Sequence, residues 1–409
     1  MSKGWFYLEN YVYVNIIAPD KVLLYNTLNR KLLTYENEKI YYLVKAQKSV
    51  ENHGLVEVDL EELCHSDIEL YDFIIQTRKH FMSDCLPVSD NCKKPVLFQS
   101  EPMVLKEGHV YYNFSEEIIH NITELTFYIN NSCICYCEHC GEYQKQVSCC
   151  YKSNSSEELG LDSIITCLES LEEASLVQVN IMGGNILIYR KLPELIERLN
   201  DFSFQKVYRI NAKQLVSIKD LDFIWKYPKN MLEIICTDVL DLGKLKLANV
   251  EPGSLQMRIN VLVQSNEDLA KAETFIQTFS NDNVVLTPFY NGQNESFFQE
   301  NVFVSEEELA QVSFKSIKRN SILNSNFFGK FTCLPNGDVY SNLNGSRLGN
   351  IKQDSFAAMA YKELSEGNNW MKVRRKVEPC KSCLFASMCP PLSCYEQTIG
   401  KTNLCTIKK

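Results

Sequence analysis

The fold is decided by the stretch NSCICYCEHC, residues 131–140, in which Cys133, Cys137 and Cys140 form the spacing C-x3-C-x2-C. Three thiolates this close together can hold three irons of one cubic [4Fe–4S] cluster, whose usual ligands are cysteines. The fourth iron then lacks a protein ligand and stays open for a small molecule. The alternatives are a zinc site, since cysteine-rich loops with a nearby histidine bind zinc, or no metal at all.

The segment before this loop predicts where the chemistry lies in the fold. Residues 124–129 are mostly apolar and aromatic, and they end at Asn130 and Asn131, which favour a turn. They therefore predict a buried strand whose carboxyl end carries the cysteine loop. Parallel α/β proteins place their chemistry at that end of the strands. Cys135 has no place in the spacing, and the sequence assigns it no role.

The composition is that of a soluble globular protein of two or three domains: the chain has 409 residues, of which 45% are hydrophobic and 23% charged. Its net charge of -9 argues against a protein built to bind nucleic-acid backbones. The start has no apolar segment like that of a signal peptide, and no run of about 18 apolar residues occurs, so we expect a cytoplasmic protein without a membrane partner. In a reducing cytoplasm, clusters among the 17 cysteines indicate metal sites more often than disulfides.

Residues 1–90 are predicted to form a separate α+β domain. Runs of β-branched and aromatic residues divided by turn residues predict an antiparallel meander, and the patterns that follow predict helices. The predicted strands are 12–17, 22–26 and 32–35, and the predicted helices are 37–44, 60–64 and 68–82. Residues 91–123 are predicted to be a linker that includes an extended stretch, 103–114.

Strands and helices alternate over residues 124–300, which predicts an α/β core. The predicted strands are 125–129, 177–182, 206–210, 232–236, 256–263 and 283–288. The predicted helices between them are 161–173, 192–200, 218–227 and 266–279. This pattern fits an open, partial (β/α)6 barrel, and a doubly wound sheet has the same alternation. Residues 301–409 are predicted to be a connecting region with a helix at 305–315, followed by a cysteine-rich domain.

The C-x3-C-x2-C loop resembles that of the radical S-adenosylmethionine (SAM) enzymes, with His139 where that family usually has an aromatic residue. The resemblance implies that Cys133, Cys137 and Cys140 bind the cluster and that SAM chelates its open iron. Reduction of the cluster then cleaves SAM to a 5′-deoxyadenosyl radical. The resemblance also implies that the α/β core is the partial (β/α)6 TIM-like barrel of that family.

Gly183, Gly184 and Asn185, after the second predicted strand of the core, resemble the Gly-Gly-Glu stretch of the same family. The resemblance implies that the glycines let the backbone approach SAM and that residue 185 accepts a hydrogen bond from the SAM amino group. An asparagine oxygen can accept that bond without the charge of a glutamate, and charge-assisted bonds are about twice as strong. The alternative for the two glycines is a tight strand-to-helix turn.

The C-terminal region contains four cysteines with the spacing C-x2-C-x5-C-x15-C: Cys380, Cys383, Cys389 and Cys405. The spacing resembles the second half of a SPASM domain. The resemblance implies that the four hold an auxiliary [4Fe–4S] cluster without an open iron, which suits electron transfer or structural stapling. A four-cysteine zinc knuckle is the alternative. Cys333 and Cys394 lie outside this set, and two ligands are too few for a second auxiliary cluster.

Residues 1–90 resemble the small winged-helix peptide-recognition domain of the pyrroloquinoline quinone chaperone type, and a purely structural domain is the alternative. The resemblance implies that they bind the leader of a precursor peptide by pairing it with a sheet edge. Most of the chain, including the Trp5-Phe6-Tyr7 start, is similar to the pseudo-radical-SAM SPASM proteins that accompany Gly-Gly-leader peptides in Bacteroidales.

Together these resemblances imply a radical SAM/SPASM maturase that modifies a ribosomally synthesised peptide. Its expected cofactors are two [4Fe–4S] clusters and SAM, and its expected partners are the precursor peptide and an electron donor such as a flavodoxin or ferredoxin. The alternative is a catalytically inactive peptide-binding scaffold that retains its iron–sulfur clusters. The intact set Cys133, Cys137 and Cys140 favours the enzyme, whereas Asn185 favours the scaffold. The sequence assigns no catalytic side chain.

Overall fold

The computed structural model describes residues 3–88, 118–153, 156–215, 221, 224, 226–247, 257–279, 283–366 and 369–407. The predicted extended stretch 103–114 lies outside the described residues, as do most of the predicted linker and most of the predicted helix 218–227. No helix within the described ranges is both long and apolar enough to cross a membrane.

Two small antiparallel sheets form the first part of the chain. Their strands are β1 (Lys3–Leu8), β2 (Val12–Ile17), β3 (Lys21–Asn26), β4 (Leu32–Glu36), β5 (Val56–Asp59) and β6 (Ser83–Pro87). One sheet has the order β5-β1-β6 and the other the order β2-β3-β4. The predicted meander is confirmed as the second sheet. The first sheet was not predicted, because β5 and β6 are short and are joined only through their pairing with β1.

Three helices pack on these sheets, and each begins where a polar side chain caps its first turn. They are α1 (Glu38–Gln47), α2 (Leu60–Ser66) and α3 (Ile68–Lys79). The Asn37 side chain accepts hydrogen bonds from the first backbone N–H groups of α1, and Asp59 and Asp67 do the same for α2 and α3. Such caps satisfy donors that have no partner inside the helix. The three predicted helices are therefore confirmed, with ends that differ by a few residues.

Six parallel strands form the centre of the molecule. They are β7 (Glu124–Tyr128), β8 (Gln178–Met182), β9 (Gln205–Asn211), β10 (Asn230–Cys236), β11 (Met257–Val263) and β12 (Val284–Pro288). Their order in the sheet is the order of the chain. A doubly wound sheet reverses its strand order at a switch point, and no such reversal occurs among these strands. The α/β core is thus a parallel sheet consistent with a partial barrel.

Helices connect the parallel strands and follow the last of them. They are α4 (Cys140–Val147), α5 (Leu161–Glu169), α6 (Leu192–Leu199), α7 (Asp241–Leu247), α8 (Asn266–Phe279) and α9 (Glu295–Asn301). Helix α8 has the predicted bounds, whereas α5 ends four residues before the predicted end at residue 173. Helices α4, α7 and α9 were not predicted, and all three are only seven or eight residues long.

The two faces of the parallel sheet differ in polarity, because successive side chains of a strand point to opposite faces. One face is apolar and packs against α5 and α6 in the largest hydrophobic cluster, with Phe127 and Ile181 among its members. The other face carries ion pairs: the Glu233 carboxylate accepts hydrogen bonds from Arg209 Nε at 2.8 Å and from Arg258 Nη2 at 2.9 Å. The helix-covered side is therefore the core, and the polar side faces the interior of the partial barrel.

The C-terminal part extends the same sheet beyond β7. Strand β13 (Lys330–Cys333) pairs in parallel with β7 and leads into β14 (Asp338–Tyr340) and β15 (Gly349–Asn350). The turn before β14 contains Gly337, whose φ of +91° favours glycine. The C-terminal helices are α10 (Glu306–Leu309), α11 (Phe314–Ile322), α12 (Phe356–Glu366) and α13 (Cys394–Ile399).

The predicted helix 305–315 is wrong in its extent. The structure has two helices there: α10 ends at Leu309, and α11 begins at Phe314 after the Ser313 side chain accepts a hydrogen bond from the Ser316 backbone N–H. The break lies where Tyr25 donates a hydrogen bond to the Ala310 carbonyl at 2.9 Å. The backbone between the helices thus bonds to the first part of the chain, a contact that local sequence does not reveal.

Candidate functional site

The loop with Cys133, Cys137 and Cys140 leaves the carboxyl end of β7, as the sequence predicts. Two buried asparagines hold its start. Asn130 Oδ1 accepts hydrogen bonds from the backbone N–H groups of Gly184 (3.0 Å) and Asn185 (3.2 Å). Asn131 Oδ1 accepts one from the Glu157 N–H at 2.9 Å. The loop is therefore tied to the end of β8 and to the segment before α5.

Neighbouring strand ends supply hydrogen-bond donors to two of the three sulfurs. Cys133 Sγ accepts from Gln214 Nε2 at 3.2 Å, and Gln214 follows β9. Cys137 Sγ lies 3.8 Å from Thr237 Oγ1, which follows β10. Cys140 starts α4 directly after His139, whose φ is +57°. Donors aimed at sulfur favour the thiolate form that metal binding requires.

In the protein without metal, burial favours the protonated thiol at Cys137 and at Cys140. Burial raises the pKa of Cys137, although the nearby Lys213 ammonium acts in the opposite direction. Burial also raises the pKa of Cys140, and the neighbouring thiol of Cys150 raises it further. Several thiolates in one partly buried place repel one another unless a cation compensates them. Thiols are the donors that an iron–sulfur cluster uses, and the assignment of Cys133, Cys137 and Cys140 to such a cluster stays a prediction.

The predicted SAM-binding stretch is packed against the cysteine loop. A Cβ on Gly183 would lie 2.8 Å from the Asn130 carbonyl oxygen, and a Cβ on Gly184 would lie 2.3 Å from the Ser132 carbonyl oxygen. The glycines are therefore needed for a close approach of protein backbone. Asn185 Oδ1 accepts a hydrogen bond from the Leu187 N–H at 3.0 Å. The assignment of these three residues to SAM stays a prediction.

Helix α4, which begins at Cys140, lies across the carboxyl edge of the sheet. Gln146 forms two hydrogen bonds with the backbone of Tyr290. Its Nε2 donates to the Tyr290 carbonyl at 3.0 Å, and its Oε1 accepts from the Tyr290 N–H at 3.1 Å. The Tyr143 ring packs on Phe289 with a centroid distance of 4.4 Å, and its hydroxyl lies 3.4 Å from the Thr237 carbonyl. The helix therefore spans from the end of β10 to the end of β12.

The four C-terminal cysteines meet at one place. A cavity of about 440 Å³, including its open mouth, is lined by Cys380, Cys383, Cys389 and Cys405. The structure thus brings together the whole predicted auxiliary set, although its role as a metal site stays a prediction. Four thiols around one cavity are the donor set that either an iron–sulfur cluster or zinc requires.

A buried ion pair borders this cavity. Arg374 Nη1 lies 3.0 Å from Glu396 Oε1 and 4.0 Å from Cys380 Sγ. Burial raises the pKa of the Cys380 thiol, and the guanidinium opposes that rise. Burial likewise raises the pKa of Cys389 to about 12. The arginine is therefore a fixed positive charge beside the predicted ligands, and Glu396 balances it.

The two remaining C-terminal cysteines do not line the cavity. Cys333 is buried at the end of β13 near Cys167, and Cys394 begins α13. The prediction of no more than one auxiliary cluster stays a prediction. Both predicted cysteine sets lie within the ranges that the structure describes, and neither they nor any other Cys, His, Asp or Glu side chains there form a group of three that could hold a metal ion as they stand.

Sequence reasoning missed several side chains that shape the two sites. Gln214, Thr237 and Cys150 approach the first cysteine loop from other parts of the chain, and no local pattern marks them. Arg374 and Glu396 had weak signals. Arg374 stands in a basic run before Cys380, and Glu396 completes a capping box with Ser393.

The structure is thus an α/β protein with a small N-terminal β domain, a parallel sheet consistent with a partial (β/α)6 barrel, and two predicted cysteine sites. No protein-family profile matches the chain. No curated protein matches it either.

Several solved structures are similar to the chain in fold. Streptococcus suis SuiB bound to S-adenosylmethionine is 12% identical over 98% of this chain and 99% of that chain, with a TM-score of 0.46. SuiB bound to precursor peptide SuiA is 13% identical over 98% and 99% of the two chains, with a TM-score of 0.47. Histidine-tagged anSMEcpe with bound AdoMet is 15% identical over 68% of this chain and 91% of that chain, with a TM-score of 0.41.

Proposed function

We propose that this chain is a radical SAM/SPASM-type maturase that modifies a ribosomally synthesised peptide. The main support is the position of the two spaced cysteine sets in the fold. Cys133, Cys137 and Cys140 follow the first strand of the parallel sheet, and the four C-terminal cysteines line one cavity. Without a metal, nothing explains why the cysteines form these two groups of partly buried thiols.

Each cysteine set has a separate role in this proposal. The first set holds the cluster whose open iron takes SAM, and that pair supplies radical chemistry when bound. Gln214 and Thr237 direct hydrogen-bond donors at its sulfurs. The second set, Cys380, Cys383, Cys389 and Cys405, holds an auxiliary cluster, and Arg374 stabilises its thiolates.

The N-terminal sheets take the leader of the precursor peptide in this proposal. A strand at the edge of a small antiparallel sheet has unpaired backbone groups that an extended peptide can bind. We propose in addition that the chain belongs with the pseudo-radical-SAM proteins of Bacteroidales Gly-Gly-leader systems, and that an electron donor such as a flavodoxin or ferredoxin completes the system. The proposed location is the cytoplasm, where thiols and clusters stay reduced.

One observation favours a second function, a peptide-binding scaffold that keeps its clusters without cleaving SAM. Asn185 stands where the family has a glutamate, and its side-chain oxygen already accepts the Leu187 N–H. The backbone carbonyls beside it are also bonded: Gly183 O accepts from the Tyr151 N–H, and Gly184 O accepts from Gln214 Nε2. A SAM amino group therefore meets acceptors that already have protein partners.

The decisive experiment is anaerobic purification and reconstitution, followed by measurement of iron, sulfide and zinc. SAM and dithionite are then added, and 5′-deoxyadenosine is measured. About eight irons per chain, which is two cubic clusters, together with 5′-deoxyadenosine, is the result expected of the maturase. The same iron content without 5′-deoxyadenosine supports the scaffold. Zinc with little iron contradicts both functions.

A further inference from the structure

Three charged residues lie side by side on the interior face of the parallel sheet. Arg209 of β9 is the register partner of Glu233 of β10, and Glu233 is in turn the partner of Arg258 of β11. Register partners on neighbouring strands point to the same face, so the two guanidinium groups converge on one carboxylate. Both donate to the same oxygen, Glu233 Oε2, from Arg209 Nε at 2.8 Å and from Arg258 Nη2 at 2.9 Å.

This trio keeps a positive charge that nothing within it balances, because two guanidinium groups share a single carboxylate. The side chains of Arg209 and Glu233 are 13% and 5% exposed, so water compensates little of that charge. Another interior carboxylate, Glu124 of β7, already bonds to Lys330 Nζ at 3.1 Å and to Asn180 Nδ2 at 2.8 Å. A buried charge is costly unless it has a partner, so the trio is suited to bind an anion.

Both arginines also have N–H groups without a strong acceptor. Arg258 Nε is buried and has no hydrogen-bond partner among the described residues. Arg209 Nη1 lies 3.9 Å from Met182 Sδ, and a thioether sulfur is a weak acceptor. Met182 is the last residue of β8, the strand end to which the first cysteine loop is tied. The Arg209 guanidinium therefore reaches towards the carboxyl edge of the sheet, directly below that loop.

We propose that Arg209 and Arg258 bind a carboxylate inside the partial barrel, below the first cysteine loop. A carboxylate carries the single negative charge that balances the trio, and its two oxygens match the N–H groups of a guanidinium. A phosphate group brings about two negative charges at neutral pH and would be repelled by the Glu233 carboxylate. Solvent reaches the trio at Arg258, whose side chain is 35% exposed, so a ligand has a way in.

The carboxylate site deepens the proposed function, and its link to a peptide rests on that function. Parallel α/β proteins bind their substrates at the carboxyl edge of the strands, and the trio lies under that edge. We therefore assign the carboxylate to an acidic side chain or a free C-terminus of the modified peptide. The alternative is a purely structural ion network, which stabilises the sheet and binds no ligand.

Isothermal titration of the reconstituted full chain with three short peptides tests the site. The peptides are acetyl-Ala-Glu-Ala-amide, acetyl-Ala-Gln-Ala-amide, and acetyl-Ala-Ala-Ala with a free C-terminus. We expect at least one of the two carboxylate peptides to bind and the glutamine peptide not to bind. The peptide that binds identifies the source of the carboxylate. Binding of neither carboxylate peptide, or equal binding of the glutamine peptide, overturns the inference.

Arg209→Gln removes one guanidinium while Arg258 still pairs with Glu233. We expect it to weaken binding of the carboxylate peptide at least about tenfold, the effect of losing one hydrogen bond to a charged group. Arg347→Gln is the matched control with expected wild-type affinity, because Arg347 forms a half-exposed pair with Asp338. If Arg209→Gln does not fold, Arg258→Gln replaces it with the same expectation. Wild-type affinity in the tested variant, or an equal loss in the control, overturns the inference.

Iron and 5′-deoxyadenosine are measured on the same wild-type sample, so that the site and the proposed function are tested separately. Binding of a carboxylate peptide by a sample that holds no iron supports the site and contradicts the proposed function. Iron and 5′-deoxyadenosine without peptide binding support the proposed function and overturn the site.

Discussion

Asn185 argues against SAM binding, whereas the spacing of Cys133, Cys137 and Cys140 favours it. Its amide oxygen bonds to the Leu187 N–H, and it brings no negative charge to the loop. We expect Asn185→Glu to tighten SAM binding by roughly tenfold, because a charge-assisted hydrogen bond adds about 1–2 kcal/mol over a neutral one. Isothermal titration of the reconstituted protein with SAM measures the change.

Asn185→Gln is the control for that substitution, since it lengthens the side chain and keeps the neutral amide. We expect its affinity for SAM to stay close to the wild-type value. An Asn185→Glu protein that binds SAM no better than the glutamine variant contradicts a SAM site at this position.

Arg374 is the residue on which the C-terminal centre depends most. Its side chain is 7% exposed, that of Glu396 is 3% exposed, and the two form the ion pair that borders the cysteine cavity. Arg374→Met leaves the glutamate buried without its partner, which costs about 3–5 kcal/mol in other proteins. We expect a loss of that size in the free energy of unfolding in urea, together with a loss of the auxiliary metal.

Arg347→Met is a suitable control for the arginine substitution. Arg347 pairs with Asp338 at 3.0 Å, but its side chain is half exposed. Exposed pairs contribute about 0–1 kcal/mol, so this variant is expected to keep both its stability and its metal. Equal losses in the two variants indicate that burial of the Arg374 pair has no special importance.

At the scale of elements, the first cysteine loop depends on its contact with the end of β8. A Cβ at residue 184 would meet backbone atoms of Ser132 at 2.3 Å, and backbone moves less easily than a flexible side chain. We expect Gly184→Ala to shift the loop, to cost about 1–3 kcal/mol of stability and to lower the iron content by about half, one cluster of two.

Gly141→Ala tests whether that effect is specific. Gly141 lies in α4 next to Cys140, and a Cβ there meets nothing within 4 Å. Alanine also favours a helix over glycine by about 1 kcal/mol. We therefore expect unchanged iron and equal or higher stability. If this variant also loses iron, any change near the cysteines has that effect. The loss in Gly184→Ala is then not specific to the contact between residues 184 and 132.

The same scale shows what the sequence predicts well and what it does not. The parallel strands were predicted because each is a buried run between turn residues, and the strand β7 before Cys133 is the clearest of them. Strand β6 and the break between α10 and α11 were missed, because pairing with β1 and the Tyr25 bond to Ala310 determine them. Both cysteine sets were predicted from spacing alone, and their roles stay predictions. Cys150 and Arg374 were not, since their positions depend on how distant segments pack.

At the scale of the whole molecule, the N-terminal sheet and the C-terminal cysteine centre share one set of contacts. Leu23 and Tyr25 of β3 pack in one apolar cluster with Phe385, Met388 and Cys389. Polar contacts join the same two parts: Asn15 Nδ2 donates to the Leu384 carbonyl at 2.6 Å, and Arg375 Nη2 donates to Asn15 Oδ1 at 2.7 Å.

Under the proposed function, these contacts make the sheet β2-β3-β4 dependent on the metal of the C-terminal cysteines. The segment 383–389 carries two of the proposed ligands and also forms the surface on which β3 rests. We expect Cys380→Ser, which removes a ligand outside this surface, to release the segment and to speed amide hydrogen exchange in β3. Exchange measured by mass spectrometry reports such local opening directly. Cys133→Ser removes the other cluster, and we expect β3 to exchange as in the wild type. Faster exchange of β3 in both variants, or in neither, contradicts a coupling between the auxiliary centre and the sheet that we assign to leader binding.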